Sequence, residues 1–135
     1  MKSLRIVWVA LVSMLVIALL AACSGGTVGG TKAPASGSSG GKTYNVTATE
    51  FQFAPNKFDA KVGQTVTFKV TNKGTVEHTL VVLSPDGSQE LAKLSAQPGE
   101  TKSLDFTPKA AGSYPIQCDI AGHKEAGMIG QLTVQ

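Results

Sequence analysis

Residues 43–135 alternate polar and apolar side chains in short runs broken by turn residues about every ten positions, and this period of two confines the chain to β structure. Residues 43–49 alternate, residues 64–71 place Val66, Phe68 and Val70 on one face, and residues 101–106 repeat the pattern. Phe51-Gln52-Phe53 and Lys57-Phe58-Asp59-Ala60 flank a Pro55-Asn56 break, while residues 76–83, 114–117 and 129–134 form further strand-like runs. Turn signals fall at Val62-Gly63, Asn72-Lys73-Gly74, Pro85-Asp86-Gly87, Pro98-Gly99 and Ala111-Gly112. Only residues 88–95 read as a short helix. Seven to eight short strands at this spacing predict an all-β sandwich. No internal repeat is present.

The first 42 residues carry a different message. Lys2 and Arg5 precede a nearly unbroken apolar run over residues 6–20, the pattern of a secretory signal. Leu20-Ala21-Ala22-Cys23 resembles the lipobox of bacterial lipoproteins, which implies a signal peptide over residues 1–22 and lipidation of Cys23. Several acyl chains, each gaining about 0.8 kcal/mol per buried CH2, anchor a protein where one chain does not. Residues 24–42 hold seven glycines, four serines and one proline without apolar periodicity, so they are expected to form a flexible linker of about 24 Å root-mean-square span. The expected organisation is therefore signal (1–22), lipidated Cys23 with its linker (23–42), and one domain (43–135). The domain is expected to be exported and lipid-anchored to a bacterial membrane, on its periplasmic or extracellular face.

Without Lys2 and Arg5 the chain has ten basic and nine acidic residues, too nearly balanced and too dispersed for a nucleic-acid footprint. With Cys23 modified, Cys118 is the one remaining thiol in an exported chain, where pairing is the norm, and it calls for another role. The two histidines are His78 and His123, and Met128 is the only methionine outside residues 1–22. Two imidazoles, a thiolate and a thioether make up the donor set of a blue-copper site. His78 shares its strand parity with Val76, Leu80 and Val82 and so points to the apolar face. Cys118, His123 and Met128 lie in the loop between the last two strands, so one turn projects three different donors.

Cys118-x4-His123-x4-Met128 after a distant His78 resembles the copper loop of the cupredoxins, the plastocyanin and azurin group, with a loop spacing most like that of auracyanin. The resemblance extends through Phe51-Gln52-Phe53-Ala54-Pro55, the Val62-Gly63 turn and residues 127–134. It implies a cupredoxin-like Greek-key β-sandwich holding one type 1 Cu ion, with His78 and His123 binding through nitrogen, Cys118 through thiolate and Met128 axially. It further implies a monomeric carrier of single electrons between redox proteins such as cytochromes or membrane oxidoreductases. His123, ringed by Ile120, Ala121, Ala126 and Pro85, would be the docking point, and Asp119, Lys124 and Glu125 a charged rim. Two positions depart from the pattern. Thr79 stands where many members have asparagine, and Ala121 where many have proline. With no proline in the loop, the Thr79 and Ile120 amides are both expected to point at the Cys118 sulfur.

A copper chaperone or storage protein shares export and soft ligands, but metal transfer favours exposed clusters of Met and His. Structural zinc more often uses several Cys or His ligands without Met. A hydrolase built on Cys118 and His123 lacks an identifiable third group to orient the base.

Overall fold

The structure, a computed structural model, describes residues 40–135. The signal segment, Cys23 and residues 24–39 of the linker lie outside the described residues. The described chain forms nine strands: β1 (Lys42–Thr49), β2 (Gln52–Ala54), β3 (Lys57–Ala60), β4 (Val66–Asn72), β5 (His78–Leu83), β6 (Glu90–Ala96), β7 (Thr101–Phe106), β8 (Gly112–Gln117) and β9 (Ile129–Val134). They make two sheets, β2-β1-β4-β7 and β3-β9-β8-β5-β6. β1 pairs with β4 and β3 with β9 in parallel, and every other pairing is antiparallel. The all-β sandwich expected from the alternation is thus the observed fold, with nine strands instead of seven or eight because the chain around residues 90–96 adds one.

The alternating residues do what their period demands. Val46 and Ala48 of β1, Val66, Phe68 and Val70 of β4, and Leu132 and Val134 of β9 all face one core, joined by Phe53, Phe58, Leu80, Val82, Tyr114 and Ile116. Phe68 meets Phe58 edge-on at 5.0 Å between ring centroids, which couples the two sheets.

Residues 88–95 are not helical. They fall largely in β6, whose residues Leu94 and Ala96 are buried and whose partner is β5, from His78↔Ala96 to Leu83↔Glu90. A strand at a sheet edge is half exposed, so its sequence shows only a weak period of two, and pairing with β5 decides its state.

Carboxylates in two turns and in β3 are tied down by hydrogen bonds and an ion pair. Asp86 accepts from the Ser84 and Ser88 hydroxyls and the Ser88 amide, and the Ser84 hydroxyl above all holds its pKa down at about 2. The Gln97 amide does the same in direction for Glu100, and the Lys42 ammonium for Asp59. A carboxylate whose folded pKa is depressed stabilises fully above its unfolded value and loses that contribution as pH falls through the folded one. The urea midpoint of the metal-free protein should therefore fall progressively below about pH 4, and Asp86→Asn should flatten part of that fall. A midpoint in Asp86→Asn that follows the parent at every pH would contradict this.

Candidate metal centre

The strand order places the last residues of β8, the first of β5 and the β8–β9 loop at one end of the sandwich. His78 opens β5 and is 1% exposed, Cys118 follows β8 at 0%, and Met128 precedes β9 at 0%. The loop between them is a ladder of turns pinned at its base, where the Cys118 amide donates to the Met128 carbonyl (3.1 Å) and the Met128 amide to the His123 carbonyl (3.0 Å). Gly122, at φ +83°, supplies the left-handed residue that turns the chain just before His123.

His78, Cys118 and His123 are brought together, with their donor atoms all within 4.8 Å of one another. His78 Nδ1 lies 3.2 Å from His123 Nδ1, and Cys118 Sγ lies 3.4 Å from the same atom. Three donors each about 2 Å from a shared centre in one plane would stand about 3.5 Å apart, so this triangle is sized for a single small ion. Burial pushes the His78 imidazole below its ordinary pKa, and the neutral ring is the ligating form. Met128 is held beside the triangle by its two backbone bonds, to Cys118 and His123.

The sulfur has one amide donor, not two. The Thr79 amide reaches Cys118 Sγ at 3.5 Å, as expected, but among the described residues the Ile120 amide makes no bond to it. The second group near the sulfur is the Thr79 hydroxyl, at 3.4 Å. That hydroxyl has a single proton, and the Asp119 carboxylate at 2.7 Å is the stronger acceptor, so the proton belongs to Asp119. Thr79 Oγ1 in turn accepts the Asp119 amide at 3.0 Å. Lys93 on β6 closes the arrangement with a 2.5 Å ion pair to the other carboxylate oxygen. Asp119 is therefore a brace tying the ligand loop to β5 and β6 rather than a free charge on a rim.

Pro85 is also not where the resemblance placed it. It lies against Gly112 at the start of β8, six residues before Cys118, which puts it about 20 Å away at the rise of a strand. The aromatic neighbour of His123 is instead Phe51, edge-on at 4.9 Å and 41% exposed. Val76 is exposed and lies outside β5, so the inward parity begins at His78.

Two polar residues near the centre were not singled out by the sequence. Asn72, 0% exposed at the end of β4, donates from Nδ2 to the Val76 carbonyl (2.8 Å) and the Ala96 carbonyl (2.9 Å), and accepts the Gly74 amide (2.8 Å). It fixes the loop that delivers His78. Glu50 accepts the Thr75 amide (2.5 Å) and hydroxyl (3.1 Å) from that same loop, and the Thr75 amide chiefly holds its pKa down at about 2.

A family model described as a cupredoxin-like domain matches residues 10–134. The chain is 30% identical over 114 residues to the methylamine utilization protein MauL of Methylophilus methylotrophus, a match covering 82% of this chain and 62% of that protein. It is 36% identical over 94 residues to plastocyanin of Mercurialis perennis, covering 63% and 89%. It is 23% identical over 146 residues to the copper-resistant cuproprotein CopI of Pseudomonas aeruginosa, covering 76% and 81%. Among solved structures, auracyanin A of Chloroflexus aurantiacus, described as a "blue" copper protein, is similar with a TM-score of 0.63 and 25% identity, covering 71% of this chain and 100% of that one.

Proposed function

The chain belongs to the cupredoxin-like domain family, and on that premise we propose that it carries single electrons between redox partners through a copper ion held by His78, Cys118, His123 and Met128. The cofactor of a cupredoxin site is one type 1 copper ion, and the donor set present here fits it. The observation that carries the reading is the convergence of two Nδ1 atoms and one Sγ in a buried, hydrogen-bonded triangle. Copper in such a site supplies one-electron exchange between Cu(I) and Cu(II).

The protein's own contribution is rigidity and access. The Cys118–Met128 and Met128–His123 backbone bonds hold the loop, and the Thr79 amide draws charge from the sulfur. Packing at the core allows little change in donor positions between oxidation states. Phe51, exposed and in ring contact with His123, and Val76, exposed two residues before His78, would each offer partners apolar area close to a ligand. The lipobox-like Leu20-Ala21-Ala22-Cys23 and the glycine-rich linker support a domain tethered at the outer face of a bacterial membrane, where it meets redox proteins embedded in or bound to that membrane. In this reading the protein is a carrier and not an enzyme. An oxidase would need a second metal site, and the sequence has two histidines, both assigned to this centre.

Similarity to a copper-resistance cuproprotein favours one second reading, copper storage or delivery in the cell envelope. Adding Cu(II) to the metal-free protein separates the two. The carrier should develop an intense visible charge-transfer band, lose it in Cys118→Ser, and give a reversible one-electron voltammetric wave. A colourless Cu(II) complex that yields its metal quickly to a chelator would move the assignment to storage, and failure to bind copper at all would remove both readings.

A further inference from the structure

His78 presents Nδ1 to the centre, and its other ring nitrogen is left with an unmet need. Nε2 is buried and has no hydrogen-bond partner among the described residues. A neutral imidazole whose Nδ1 serves as the donor carries its proton on Nε2, and a buried ring N–H without an acceptor costs about 1–3 kcal/mol. Ligating histidines meet this need with a carboxylate, a carbonyl or a water, which also fixes the ring's orientation.

The shape of Gly74 places one acceptor close by. A Cβ built there would stand 2.8 Å from His78 Nε2 and 2.6 Å from Glu50 Oε1, so both atoms crowd the same face of one glycine. Only a residue without a side chain leaves that space open. Two such short distances to one point put Glu50 Oε1 and His78 Nε2 at most about 5.4 Å apart, a span that a single bridging water covers. Glu50 is already fixed in place by the amide and hydroxyl of Thr75, which engage one of its oxygens, and a carboxylate accepts about four hydrogen bonds in all.

We propose that Glu50 is a positioning residue for the metal centre: its carboxylate takes the His78 Nε2 proton, directly or through one water, and so holds Nδ1 bare and aimed at His123 and Cys118. The two halves of the site are then braced by different acids. Asp119 holds the Cys118 side through Thr79 and Lys93, and Glu50 holds the His78 side across Gly74. The ionised state of Glu50 at neutral pH, secured by Thr75, suits it to this role.

This inference rests on His78 acting as a ligand through Nδ1, and its test is read first without metal. In the metal-free protein the His78 Nε2 proton should give a downfield resonance that exchanges slowly with water. Glu50→Ala should shift it upfield and speed its exchange at least about tenfold, whereas Glu50→Gln, whose amide oxygen still accepts, should retain it. Thr75→Val breaks the bond from the Thr75 hydroxyl but leaves the carboxylate near His78, so the resonance should survive there too. Copper affinity should then fall about 10–100-fold in Glu50→Ala and much less in Glu50→Gln. An unchanged Nε2 resonance in Glu50→Ala would overturn the proposal and leave Glu50 as an anchor for Thr75 alone. A parent protein that shows the resonance but never develops the copper band would instead fail the electron-carrier reading, so the two outcomes are distinguishable.

Discussion

Replacing Phe68 with alanine is expected to lower the unfolding free energy of the metal-free domain by about 3–5 kcal/mol. Phe68 is fully buried in β4, inside the four-stranded sheet, and meets Phe58 of the opposite sheet at 5.0 Å and Tyr44 at 6.3 Å. Truncation removes the transfer free energy of the ring, opens a cavity between rings that cannot collapse together, and ends an edge-on aromatic pair. Domains of this size have roughly 5–15 kcal/mol of stability in total, so the loss is a large share. At roughly 4–8 °C per kcal/mol, calorimetry should record a melting temperature at least about 12 °C lower. Phe68→Leu, which refills much of the volume, should recover most of the difference. A melting temperature within about 4 °C of the parent in Phe68→Ala would mean that the rings do not hold the two sheets together.

How far the fold could be read in advance followed from how each element is buried. β1, β4 and β9 each present one face to the core, so their alternation is written directly in Val46-Ala48, Val66-Phe68-Val70 and Leu132-Val134. β6 is an edge strand with only Leu94 and Ala96 buried, and nothing local distinguished it from a helix turn until β5 was beside it. The donor atoms were legible for a different reason. His, Cys and Met are scarce in this chain and their chemistry is narrow, so their spacing alone proposed a metal. The braces were illegible because they use common residues whose meaning depends on register. Thr79, Asp119 and Lys93 come from β5, the β8–β9 loop and β6, and no sequence pattern links them. The expected amide of Ile120 failed for the same reason. The absence of proline preserves a donor but does not aim it.

Asn72 shows the same limit and carries the second large effect. In the sequence it heads Asn72-Lys73-Gly74 and reads as a turn residue. In the fold its side chain is fully buried and makes three hydrogen bonds, to Gly74, Val76 and Ala96, that join the end of β4, the loop before His78 and the end of β6. Asn72→Ala leaves one amide and two carbonyls to find other partners, at about 1–3 kcal/mol for each that stays buried, so a loss on the order of 3 kcal/mol is expected. Asn72→Asp should be worse than its small change in shape suggests, because it sets a carboxylate oxygen against the Val76 and Ala96 carbonyls in place of two N–H donors. The contrast with Phe68 separates core from site. Phe68→Ala weakens the sandwich but leaves the hydrogen bonds of the His78 loop intact, so copper affinity measured well below its melting temperature should stay near the parent's. Asn72→Ala releases the loop itself, so its copper affinity should fall by at least about tenfold at the same margin below melting, as for loss of a group that orients a ligand. Equal copper affinities in the two variants would show that His78 is placed by β5 pairing alone and that the loop behind it has no part in shaping the centre.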